Sequence, residues 1–192
     1  RMLRQLLLPY QSDLPAGLHQ SLAEDNRKAD RFMVGLLLLH WLFAATVMAY
    51  SHGTYLLGFV AGGLTFGAAL VGYLLFPGQA VSRIVIAVSL MVFSAIFIQQ
   101  HLGRIEMHFH IFVALAFLVR YRDGVPVLAA VVTTALHHLV FNYCQVNDIA
   151  LFGTDIMVFN YGTGLDIVFL HAAFVVVEAI VLWMILHDQL TQ

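Results

Sequence analysis

With 192 residues, 61% of them hydrophobic and only 10% charged, the chain carries less than half the charge of an ordinary soluble domain, which is about a quarter charged. A mean hydropathy of +0.87, built from repeated apolar runs about twenty residues long, excludes a soluble globular core. A single cysteine, Cys144, excludes an internal disulfide framework and a cysteine-built zinc or iron–sulfur site. No basic patch interleaved with aromatics points to nucleic acid, and the formal net charge of -2 decides little.

In chain order, residues 1–31 are mixed polar and interrupted by Pro9 and Pro15. They read as a cytoplasmic or interfacial segment with short helices, without the apolar stretch and small-residue site of a cleavable leader. Residues 32–187 read as one domain of six spans. The first runs from Phe32 to Tyr50 and the second from Tyr55 to Phe76, joined by Ser51-His52-Gly53-Thr54 as a helical hairpin. Pro77-Gly78 precedes a third span, Val81 to Gln100. A fourth, Ile105 to Val119, ends at Arg120-Tyr121-Arg122-Asp123-Gly124. The fifth is Val125 to Tyr143, and a polar connector, Gln145 to Gly164, leads to the sixth, Leu165 to Leu186. Membrane strands would be about ten residues long with alternating polarity, so the fold class is all-α, a polytopic membrane bundle of six transmembrane helices. Residues 188–192 read as the start of a linker. On the second span, Gly58 with Gly62 and Gly63 with Gly67 form small-xxx-small pairs suited to close helix packing.

Charge sets the orientation. Arg27, Lys28, Arg31, Arg83, Arg120 and Arg122 all fall on one side of six alternating spans, and only Arg104 falls on the other. The basic side is therefore expected in the cytoplasm, with both termini inside.

That topology gathers His101, Glu106, His108, His110, His137, His138 and His171 near the opposite face. At 1.5 Å per residue His137 lies about 11 Å, and His171 about 8 Å, below the outer ends of their helices. Imidazole in hydrocarbon needs a partner, and six of them converging is the pattern of a transition-metal site. Glu106 and His110 share a helical face, whereas His108 lies about 200° around from His110 in a regular helix. One ion does not easily take both. Seven ligands on four helices suit a dinuclear centre, with Glu106 as a candidate bridge and iron, copper or zinc as the ions. His40 reads as an interhelical hydrogen bonder, His52 as an outer-shell residue, and Asp166 as a carboxylate that receives the His171 N–H.

His101-Leu102-Gly103, Glu106-Met107-His108-Phe109-His110-Ile111-Phe112, Tyr121-Arg122-Asp123, His137-His138 and His171-Ala172-Ala173-Phe174 resemble the histidine-rich multi-pass sensor region at the N-terminus of bacterial signalling proteins. Chemoreceptors (methyl-accepting chemotaxis proteins), diguanylate cyclases and some histidine kinases carry it. Asp30-Arg31-Phe32 and Leu39-His40-Trp41-Leu42 are similar to its start. The likeness covers Glu24 to the C-terminus, and departs from the usual pattern at Gly124, where a tryptophan is expected. It implies a non-enzymatic input module in the bacterial inner membrane, embedded in the lipid bilayer and working as a homodimer, with a cytoplasmic output domain beyond the last span.

Two alternatives stay open. A b-type haem, in a membrane sensor or an electron carrier, could be held by His110 and His138, or by His108 and His171, which leaves four histidines and a glutamate unexplained. A membrane metal oxidase also gathers histidines on helices, but the HxxxH and HxxHH spacings of desaturase-like sites are absent.

Overall fold

The computed structural model describes residues 16–151 and 153–191, with side chains over 20–151 and 153–188. Its first helix, α1, is Ala16–Ala45, which begins well before the Phe32 boundary expected from hydropathy. Residues 20–31 are thus a polar continuation of the first long helix; residues 1–15 of the expected N-terminal segment lie outside the described residues. Thr46 Oγ1 donates back to Leu42 O at 2.6 Å, a side-chain bond that bends helices, and the chain restarts as α2 (Val47–Tyr50). Then follow α3 (Tyr55–Leu75), α4 (Ala80–Gln100), α5 (Ile105–Leu118), a 3₁₀ turn at Val119–Tyr121, α6 (Gly124–Val146), a minimal antiparallel hairpin of β1 (Ala150–Leu151) and β2 (Thr154–Asp155), and α7 (Leu165–Thr191).

Five of these stretches are long and apolar enough to cross a membrane: Gln20–Tyr50, Tyr55–Leu75, Ala80–Gln100, Gly124–Val146 and Leu165–Asp188. The expected fourth span, α5, is not among them. It has 14 residues, and with the 3₁₀ turn it reaches about 27 Å, just short of the roughly 30 Å of a hydrocarbon core. It nevertheless runs end to end. Asp123, at the start of α6, pairs with Arg83 near the start of α4, so α5 returns the chain along the bundle between two helices that begin at the same end.

The core lies around α4, whose Ile86, Leu90, Phe93 and Ile98 are fully buried and which is packed by α1, α3, α5 and α6. Close approach of α3 needs glycine: a Cβ on Gly58 would run into the Ala44 carbonyl, and one on Gly62 would meet Trp41 Cδ1 at 2.9 Å. Gly67 faces open space, so only the first of the two small-residue pairs is a packing contact at both positions. At the edge, α7 touches the bundle along a narrow seam of Val168, Val175, Leu182 and Leu186, with Phe169, Leu170, Phe174 and Val177 exposed. Spacing near seven gives a stripe, not a wide face.

At the end where α4 and α6 begin, the buried Arg83 donates to Asp123 Oδ2 at 2.8–2.9 Å and to Gly78 O at 3.0 Å. Asp30, completely buried, accepts from Gly78 N at 2.7 Å and Tyr121 OH at 2.8 Å. Burial and the Asp30 carboxylate push the Tyr121 phenol well up, so it remains a donor. This latch ties α1, the turn before α4, the 3₁₀ turn and α6 together.

Candidate metal centre

At the other end, three helices each contribute one imidazole to a cluster. Ring centroids of His108 (α5), His138 (α6) and His171 (α7) form a nearly equilateral triangle with sides of 5.3 Å (His108–His138), 5.1 Å (His108–His171) and 5.6 Å (His138–His171). All three rings are fastened in the same way. Nδ1 of His108 lies 3.1 Å from Arg104 O, that of His138 3.0 Å from Thr134 O, and that of His171 2.9 Å from Ile167 O, each carbonyl four residues earlier. A carbonyl can only accept, so Nδ1 carries the proton and Nε2 keeps its lone pair. His108 Nε2 and His138 Nε2 are buried without a hydrogen-bond partner, while His171 Nε2 is 3.1 Å from Tyr161 OH. The expected Asp166 contact is replaced by the Ile167 carbonyl. His137 stands beside the triangle, its Nδ1 3.3 Å from His138 Nδ1 and its Nε2 likewise unpartnered.

The connector before α7 covers this centre. Phe159, 1% exposed, lies 4.9–5.6 Å from all three rings of the triangle. Side-chain amides sew the connector down: Gln145 Oε1 accepts from Val158 N and Phe159 N and its Nε2 donates to Phe159 O; Gln99 spans Asp155 O and Met157 N; Asn142 Oδ1 accepts from Gly164 N. Gly103, at φ +77°, has Phe159 backbone atoms 2.8 Å from where a Cβ would be, so only glycine lets the two loops meet. Sequence reasoning treated this stretch as a polar connector and missed Phe159 and Tyr161. The signal was present in amides placed near the ends of apolar helices opposite an aromatic run.

The other expected ligands stand apart from the triangle. His110, on the far side of α5, has both nitrogens spent: Nε2 lies 2.8 Å from His40 Nε2, and Nδ1 lies 2.7 Å from Ser94 Oγ. His40 Nδ1 donates to Leu36 O at 2.7 Å, which leaves its Nε2 to accept from His110. Glu106 is about half exposed and ion-paired to Arg104 at 3.6 Å. His101, just beyond α4, is 5.6 Å from His52; burial, then His52 and Arg104, hold its pKa below that of free histidine.

Among the described residues, no group of three or more His, Cys, Asp or Glu side chains has its donor atoms placed to hold one ion as the rings stand. The donor chemistry still fits a transition metal. Of the seven buried side-chain polar atoms without a partner among the described residues, five are imidazole nitrogens, and buried polar atoms are rarely left so. Two cavities flank the seam between α7 and its neighbours, one of about 580 Å³ bounded by Ile105, Phe109, Phe112, His171 and Phe174, the other of about 200 Å³ bounded by Val131, Ala135, His138 and Ala172.

No family model matches the sequence, and no curated protein or solved structure matches it either. The chain is, by its own residues, an all-α protein with five helices able to cross a membrane and an imidazole triangle buried under a loop.

Proposed function

We propose that the chain is a membrane-embedded sensory module of a bacterial signalling protein, holding a transition metal through His108, His138 and His171, with His137 available to a second ion. The observation that carries this reading is the triangle: three rings on three helices, each locked with Nδ1 on its own helix and with two of the three Nε2 lone pairs unspent. Two imidazoles ligating one ion at about 2.0–2.1 Å stand with centroids about 5–6 Å apart, the spacing seen on all three sides. Iron, copper or zinc suits such a donor set, and a bound ion would supply Lewis-acid or one-electron chemistry. The protein's own residues fix the tautomer and cover the rings with Phe159; the Tyr161 hydroxyl, which donates to His171 Nε2, would yield that lone pair to the ion.

The basic end, with Arg27, Lys28, Arg31, Arg83, Arg120 and Arg122, faces the cytoplasm in this reading, and the triangle lies toward the periplasm of the inner membrane. Because α7 rests on a narrow seam between two cavities, a change in how His171 is held alters the seat of that helix. An output domain joined beyond α7, working as a pair, would receive the change. Any such shift is bounded by the difference in binding energy between the two seats. The triangle favours this over haem, since His108 and His171 stand in contact at 5.1 Å and not on opposite sides of a gap.

Metal analysis with an absorption spectrum of the purified chain tests the reading. One or two transition ions per chain, no Soret band, and loss of metal in His108→Ala and His138→Ala are expected. Full metal content in both variants overturns it.

A further inference from the structure

We propose that His52 and His101 form a second cation site, between the turns at the triangle's end of the bundle but separate from the triangle, that takes a divalent transition-metal ion of borderline softness. His101 is 8% exposed, yet neither of its ring nitrogens has a hydrogen-bond partner. A neutral imidazole has one N–H to give and one lone pair to fill; the Met48 backbone stands near enough to draw the N–H, which leaves the lone pair idle in a buried place. The His52 ring stands edge-on to it, with centroids 5.6 Å apart and planes at 79°. That separation is within the range that two imidazoles on a single ion with bonds of about 2.0–2.1 Å can take.

The surroundings hold the pair in place. Gln100, the last residue of α4 and fully buried, donates from Nε2 to Ala44 O at 2.9 Å and to Thr54 Oγ1 at 3.2 Å. It thereby fastens the 51–54 turn that carries His52 to the end of the helix that precedes His101. Gly53, at φ +68°, closes that turn. Gln100 Oε1 is also without a partner, so two successive residues at this helix end have unspent polar atoms. His52 is exposed, which gives an ion direct access from water, in contrast to the triangle beneath Phe159. Two imidazoles with water in the remaining positions select zinc, copper or nickel; calcium and magnesium want oxygen donors. An ion here would clamp the α2–α3 turn to the α4–α5 turn. The inference stands whether or not the triangle binds metal.

Copper(II) titrated into the chelator-stripped full chain in nanodiscs, followed by electron paramagnetic resonance, tests it. The unaltered protein should show a copper with two nitrogen couplings that is lost, or bound at least tenfold more weakly, in His52→Ala, an exposed turn residue outside the core. His101→Asn should weaken the same copper to the same extent. An affinity in His52→Ala within twofold of the unaltered chain overturns the proposal, and so does a copper that depends on His52 but shows a single nitrogen coupling, which would be surface binding only. If His101→Asn does not fold, the coupling count on the unaltered chain decides. A copper lost in His138→Ala and kept in His52→Ala reports the triangle instead, so the two sites fail separately.

Discussion

The two ends of the bundle bury polar groups in opposite ways. In the latch, the Arg83 guanidinium, both Asp30 oxygens, both Asp123 oxygens and the Tyr121 hydroxyl all have partners at 2.7–3.0 Å. At the triangle, His108 and His138 are fastened by one nitrogen and leave the other idle, and His171 gives its second to the Tyr161 hydroxyl. A saturated polar cluster fastens helices; an unsaturated one leaves lone pairs that water or an ion could fill. Residue type does not make the distinction. His40 and His110 are imidazoles in the same bundle, but with Ser94 they spend all their nitrogens on one another and on the backbone, and so belong with the latch.

The largest expected effect breaks the saturated end. Arg83→Ala leaves the Asp123 carboxylate buried and unpaired, and removing one member of a buried pair costs about 3–5 kcal/mol. Thermal unfolding in detergent should show this loss, with the paired change Arg83→Met, Asp123→Leu recovering much of it. An equal loss in the single and paired variants would mean that the ion pair is not what fastens this end.

Next come two histidine changes in metal-free protein. His110→Phe strands His40 Nε2 without its donor, which costs about 1–3 kcal/mol for a buried group. His138→Phe removes one nitrogen that had no partner and one that bonds only to its own helix at Thr134 O, and should cost less than His110→Phe. Added zinc should then raise the unfolding temperature of the unaltered chain and of His110→Phe by more than that of His138→Phe, which keeps only the His52–His101 pair. The reverse order would exchange the roles assigned to the two histidine groups.

Smaller again is the effect of loosening the cover. Gln145→Leu deletes three hydrogen bonds to the connector, each worth about 1 kcal/mol net. Backbone amide exchange at Val158 and Phe159 should accelerate, and bound metal should be lost faster to a chelator while the stoichiometry holds. Unchanged exchange would show that Phe159 is held by packing alone.

Hydropathy made the helical class and most boundaries legible, because apolar length is a property of the local sequence. The separation of His108 from His110 was legible too, since a step of two residues turns a helix by about 200°. What stayed hidden depended on the partners across the bundle. Nothing local says that α4 and α6 begin at the same end, pinned by Arg83 and Asp123, or that the connector folds back to put Phe159 on the rings. Asp30, Tyr121 and Asp123 were visible as parts of a motif, but their pairing with Gly78 and Arg83 needed three dimensions. The expected single gathering of seven ligands divides in space because imidazoles on different faces of α5 meet different neighbours.

Glu106 carries the smallest and sharpest expectation. Read from sequence it is a bridging ligand, one helical turn before His110 and two residues before His108. In the fold its carboxylate is about half exposed and meets Arg104 at 3.6 Å, and exposed pairs of this kind contribute little to stability. Glu106→Gln should therefore leave the unfolding temperature, the metal content and the chelator off-rate all within error of the unaltered chain. A bridging carboxylate behaves differently: its loss would free one ion of a pair and change the spectrum of the one that remains. If Glu106→Gln halves the metal content while His110→Phe does the same, the far face of α5 holds a ligand set after all. In that case the saturated hydrogen bonds of His40, His110 and Ser94 would describe a resting arrangement that metal rearranges.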